Sequence, residues 1–208
     1  MRLSRWTSIA ILAALACLGA PGLSAQGSEG TRLRWDIFKP EVGATSITVA
    51  PGGHSMSQAT FSSVQLAGDN STITLTGSGT IELGESQDVT GGGTWETATA
   101  TGTVTGKGTY RATGLVRFDL APGTLAGIPG FVDAIGNLSD TRAGLAVMKI
   151  AYSDGVKGIL VVGCNFGPPA PAAIFEGTTA TKGFVDYYNA LYPDFTFGNT
   201  IFHVLHED

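Results

Sequence analysis

Charge is scarce in this chain and is never clustered along it. Only 14% of the 208 residues are charged, and the twelve Lys and Arg are scattered without a run. Recognition of a phosphate backbone needs a basic patch, and contact with an anionic membrane surface needs a polybasic segment. No nucleic-acid partner is therefore expected. Cysteine is nearly missing: Cys17 and Cys164 are the two. Histidine is limited to His54, His203 and His206. No G-x-S-x-G elbow, H-E-x-x-H, P-loop or EF-hand pattern occurs, so the familiar routes to a serine hydrolase, zinc protease, nucleotide or calcium site are closed. No cofactor and no metal are expected. Long apolar runs are also lacking. The longest at the N-terminus, Ile9–Leu18, falls short of the roughly 20 residues that a membrane helix needs.

That run has a different meaning in its setting. "MRLSRWTSIAILAALACLGAPGLSAQG" begins with Arg2 and Arg5, continues through the apolar stretch, and ends on Gly19, Pro21, Gly22 and the small-residue site Leu23-Ser24-Ala25. This order predicts a secretory signal peptide over 1–25 and a secreted or periplasmic protein that does not span the membrane. Cys17 offers the alternative of a lipid anchor, with Leu15 where a small residue is preferred. Removal of 1–25 takes away two Arg and no acid. It leaves 183 residues carrying ten basic and seventeen acidic side chains, enough chain for one domain with a full core. Residues 26–31 form a flexible leader, and 32–208 the domain. With Cys164 alone remaining, no internal disulfide is available. Its place in the apolar run "KGILVVGCNFG" predicts a buried thiol.

What the chain has in quantity is Gly and Thr in alternating patterns. "RLRWDIF" and "TSITVA" alternate apolar with polar residues, the period of a half-buried strand. "STITLTGSGTIEL" keeps one register from Ser71 to Leu83 and reads as one long strand bent at the inward glycines Gly77 and Gly79. "GLAVMKIAYSDGVKGILVVGC" reads as a hairpin turning at Ser153-Asp154-Gly155. Two short helices are expected, over "GFVDAIGNL" and within "TKGFVDYYNALYPDF" before Pro193. The chain closes on a strand from Thr200 to Leu205. The fold class predicted is all-β: a single antiparallel β-barrel or closed sandwich of about ten strands.

The pieces "GSGTIEL", "GGGTWET" and "GKGTYRA" share Gly, any residue, Gly, Thr and then a large apolar residue: Ile81, Trp95 and Tyr110. Regular placement of large residues predicts strands of a meander rather than a linker. Residues 70–113 hold 13 threonines, which suit a pleated outer face. The third piece is predicted to turn Tyr110, Ala112, Gly114, Val116 and Phe118 inward. "GKGTYRATGLVRF", Gly106–Phe118, resembles a strand of the allene oxide cyclase/dirigent-type barrels. That likeness implies a barrel and a cyclase- or isomerase-type activity, and carries over no pocket residue of those families. "AGLAVMKIAYSDG" and "FEGTTATKGFVDYY" resemble exported bacterial proteins of uncharacterised activity.

Trp95, Tyr110 and Phe118 are the candidate ligand-binding residues: such rings either pack a core or line an apolar pocket. Glu82 and Glu96 occupy equivalent positions, either as neighbours able to share a proton or as solvated acids. His203 and His206 read as a solvated tail, and His54 as exposed in a turn. Three roles stay open: a non-catalytic barrel binding a small apolar ligand, a cyclase- or isomerase-type enzyme in the same barrel, and a structural or adhesive envelope component. Oligomeric state is not legible.

Overall fold

Alternation along "RLRWDIF" buries Leu33, Trp35 and Ile37 on one face of strand β1 (Arg32–Val42). The structure, a computed structural model, describes residues 31–59, 69–84, 88–189 and 198–206. The expected signal peptide 1–25 with Cys17, the leader to residue 30, and the end of the second expected helix lie outside these residues.

From β1 the sheet closes on itself. β1 pairs with β13 (Asn199–Leu205), β13 with β9 (Thr141–Tyr152), and β9 with β7 (Val104–Ala121). β7 pairs with β6 (Gly92–Ala98), β6 with β5 (Ser78–Glu82), and β5 with β1 again. All six pairings are antiparallel, giving a closed six-stranded barrel with outer strands. Closure leaves that ring without an edge.

Besides β1, two of the ring's strands share an edge between two partners. β9 holds β13 at Thr141 and Arg142, then β10 (Lys157–Cys164) from Gly144 onward. β6 holds β5 at Gly92, then β4 (Thr72–Leu75) from Trp95 to Ala98. Beyond β10 follow β11 (Gly177–Lys182) and β12 (Val185–Tyr187), and beyond β4 lies β3 (Ser55–Gln58). The two wings meet where Gln58 and Tyr188 exchange backbone hydrogen bonds of 2.8 and 2.9 Å. The main core fills the interior with Trp35, Ile73, Leu75, Ile81, Met148, Leu160 and Phe202, among others, all almost completely buried.

A second, smaller layer lies outside β1 and β13. β2 (Ile47–Ala50) pairs with the far end of β1 and runs parallel to β8 (Phe131–Asp133). Val49 of β2, with Leu125 from the segment before β8, covers Phe38 and Ile201.

Four local expectations are corrected. Residues 71–83 form two strands, because the chain breaks at Thr76-Gly77, where the Tyr110 hydroxyl donates to the Thr76 carbonyl at 2.8 Å. β7 carries bulges near Thr113 and Val116, which turn Leu115 inward and leave Val116 and Gly114 outside. Among the described residues there is no α-helix, only a 3-10 turn at Leu138–Asp140. "GFVDAIGNL" spaces Phe131, Ile135 and Leu138 as a helix would, yet β2 offers its edge to 131–133. The Asp133 carboxylate then accepts from the Ile135 and Gly136 amides and ends the strand. The described part of the other expected helix is the β11–β12 hairpin, turned by Gly183 in the left-handed region at φ +64. The paired-carboxylate arrangement also fails: Glu82 lies opposite Arg32, and Glu96 between Thr74 and Lys107.

Gly79 shows how tight the closure is. A Cβ there would lie 2.0 Å from the Thr90 carbonyl oxygen and 2.7 Å from Trp35 Nε1. Gly79→Ala is expected to cost about 1–3 kcal/mol, the range for overpacking a close-packed core. Urea unfolding measures it, and an unchanged midpoint would contradict the packing described.

Candidate functional site

Trp95 and Tyr110 come from the neighbouring strands β6 and β7. Each is buried, and Tyr152 of β9 joins them, its ring centroid 5.8 Å from Trp95 and 6.3 Å from Tyr110. The polar atoms are used internally: Trp95 Nε1 donates to the Thr109 carbonyl at 3.1 Å, and the Tyr152 hydroxyl to the Thr181 carbonyl at 2.9 Å. Burial pushes the Tyr110 and Tyr152 hydroxyls well above the ordinary phenol range. Lys182 lays its ammonium 4.2 Å from the Trp95 ring centre and pairs with Asp154. That cation–π contact caps the cluster with the chain's own charge. Phe118 stands apart, eight residues farther along β7, packed edge-on against Phe202 at 5.1 Å.

Three clefts formed by described residues measure about 390, 420 and 580 Å³. Tyr110 borders the second; Trp95 and Phe118 border none of the three.

The smallest cleft holds the most perturbed carboxyl. It lies over the loop between β10 and β11 and is walled by Pro168, Ala170, Ile174 and Phe175, with Asn165 and Glu176. Asn165 organises this loop: its side-chain oxygen accepts from the Gly167 amide at 2.8 Å, and its Nδ2 donates to the Ile174 carbonyl at 2.6 Å. Glu176 ties the loop to β13. Its Oε2 accepts from the Asn165 amide at 2.6 Å and its Oε1 from the Thr200 amide at 2.7 Å. Burial nevertheless pushes the Glu176 carboxyl up to about 8, against the pull of these donors. Cys164, a free buried thiol, is raised by burial and then by the Glu176 charge. The sequence shows Glu176 only as one of many scattered acids. Its flanks, Ile174-Phe175 before and Gly177 after, were the available signal.

The reading of His203 as part of a solvated tail is corrected. His203 is 3% exposed, and its Nε2 meets Asp133 Oδ2 at 2.8 Å. Arg34 forks onto both oxygens of Asp36, at 2.7 and 3.1 Å, and reaches the Ile135 carbonyl at 2.7 Å. Burial raises the Asp36 carboxyl, the Arg34 hydrogen bond opposing it. Position 203 lies 70 residues from Asp133, and only the outer layer brings them together. His206 does face solvent, 3.1 Å from Asp140, and His54 is half-buried. Among the described residues, no three His, Cys, Asp or Glu side chains converge as a metal site.

Compared with protein-family models, curated proteins and solved structures, the chain matches none.

Proposed function

We propose that the chain is an exported, non-catalytic barrel that binds a small uncharged apolar molecule in the cleft between Asn165 and Glu176. One observation carries this: the polar atoms of Asn165 and Glu176 are already held by the protein's own backbone. What the cleft offers a visitor is the apolar surface of Pro168, Ala170, Ile174 and Phe175. Its volume of about 390 Å³ falls within the range of small-molecule sites. Trp95, Tyr110 and Phe118 then serve the core. Export rests on the signal-peptide pattern of 1–25.

The neutral dye Nile red is expected to brighten on binding the protein. Ala173→Trp, at an exposed wall position, should abolish the change while leaving the fold intact by circular dichroism. Equal brightening by both proteins, or none with the wild type, would sink the reading.

A second reading, an isomerase-type enzyme, draws on the same Glu176. A carboxyl that keeps its proton near neutrality can serve as a general acid. It predicts turnover lost in Glu176→Gln, whereas the binding reading predicts that ligand uptake survives that change.

A further inference from the structure

We propose a second site, on the opposite chemical principle: a trough on the outer face of β7, β9 and β10 that binds an acidic oligosaccharide. The twelve basic residues look dispersed in sequence, yet the sheet register gathers three of them. Arg111 and Lys157 stand opposite Ala151, one on each side of β9. One step along β9, Lys149 stands between Gly114 and Ile159. With strands about 4.8 Å apart, Arg111 and Lys157 are separated by roughly 10 Å of backbone, and Lys149 lies roughly 7 Å along.

All three side chains are exposed, and none makes an ion pair or hydrogen bond among the described residues. This contrasts with Lys39, Arg117 and Lys182, each matched to a carboxylate. Three cations on one face without a carboxylate partner among the described residues stand out in a chain with a formal charge of −5. On β12, Asp186 stands opposite Thr181, two strands beyond β10.

The floor between the cations is low because Ala151 and Gly114 occupy it. The clefts of about 420 and 580 Å³ share Arg111, Ala151 and Lys157, so the depression is elongated. An elongated trough fits a chain with repeated anionic groups better than a single ion. Thr113 and Ser153 place hydroxyls along it for sugar hydroxyls, and Ile159 and Ala151 give a small apolar floor for a sugar ring. Single-stranded nucleic acid would need exposed aromatic faces for its bases. The rings bordering this trough, Tyr110 and Tyr152, are sunk to 4% and 3% exposure. The carboxylates of a uronic-acid chain are thus the matching chemistry.

The test is calorimetric titration of the protein with an oligogalacturonate, a neutral maltooligosaccharide of equal length, an oligo-dT and inorganic phosphate. The oligogalacturonate alone is expected to bind, and binding should weaken as salt rises. Arg111→Ser, Lys149→Ser and Lys157→Ser should each lower affinity about threefold, the scale of exposed charge pairs, and the triple variant should lower it about thirtyfold. All three positions are on the surface, so fold is retained, as a thermal melt checks. Oligogalacturonate failing to bind, or the triple variant binding as the wild type does, overturns the proposal. So does oligo-dT or phosphate binding at least as tightly, in favour of a nucleic acid or a simple anion site.

Discussion

Trp95→Ala is expected to lower the free energy of unfolding by about 3–5 kcal/mol, the range for deleting a buried aromatic side chain. Trp95 is 5% exposed and belongs to the main core. The change removes its edge contact with Tyr152, its hydrogen bond to the Thr109 carbonyl, and the face on which the Lys182 ammonium rests. It also opens a void beneath Gly106 and Gly108, whose α-carbons approach the indole closely enough that a Cβ would lie 3.0–3.2 Å from it. A ring that merely lined a ligand pocket would give a much smaller loss, because the pocket side of the ring would contact nothing in the free protein. Equilibrium denaturation in urea separates the two. A loss under about 1 kcal/mol would return Trp95 to the role of a pocket wall.

Stability is expected to fall as pH rises from about 4.5 to 8, by up to about 5 kcal/mol from Glu176. The sign follows from the direction of the shift. The folded protein holds the Glu176 proton up to about 8, while the unfolded chain releases it near 4.5. Below 4.5 both states are protonated and the contribution is fully present. Between the two values only the unfolded chain gains by ionising, so the folded state loses ground with each step in pH. Above 8 both are ionised and the loss is complete. Asp36, also raised by burial, acts in the same direction from a lower starting point. Glu176→Gln cannot ionise, so it removes this portion of the slope. It also turns an amide N–H toward a backbone N–H, at Asn165 or Thr200, and is expected to start from lower stability in acid. Urea midpoints at pH 5, 7 and 9 for both proteins provide the check. A wild-type profile that is flat or rising, or a variant with the same slope, would show that the carboxyl titrates normally.

The strands were legible where a single face is buried. Leu33, Trp35 and Ile37 announce themselves by period alone, because each alternate side chain answers to one environment, and the hairpin from Gly144 to Cys164 by its Asp154-Gly155 turn between two apolar arms. β7 was misread after Ala112 because a bulge inserts a residue that the sequence does not mark. From there Leu115 and Val116 exchange faces. The two expected helices failed because helical spacing in Phe131, Ile135 and Leu138 is also what a strand followed by a bend produces, and the free edge of β2 decided between them. The candidate cleft was invisible for another reason. Glu176 becomes unusual only when Asn165 and Thr200, eleven positions before and 24 after it, bring their amides to its carboxylate. The three cations of the outer trough are likewise dispersed at 111, 149 and 157 until register aligns them.

The ring's closing seam joins Arg32 to Leu205 and Phe38 to Asn199, the first and last strands of the barrel. This sets an order in time. β13 supplies β1 with one neighbour and β9 with another, so neither has its full complement of partners until the last strand has emerged. Pairing across such a span of sequence is slow, and open strand edges invite association with other chains while it is awaited. A newly made chain of this protein is therefore most exposed to aggregation just before its final strand is delivered. Keeping that interval short, or shielded, is a demand the topology places on the cell that makes it.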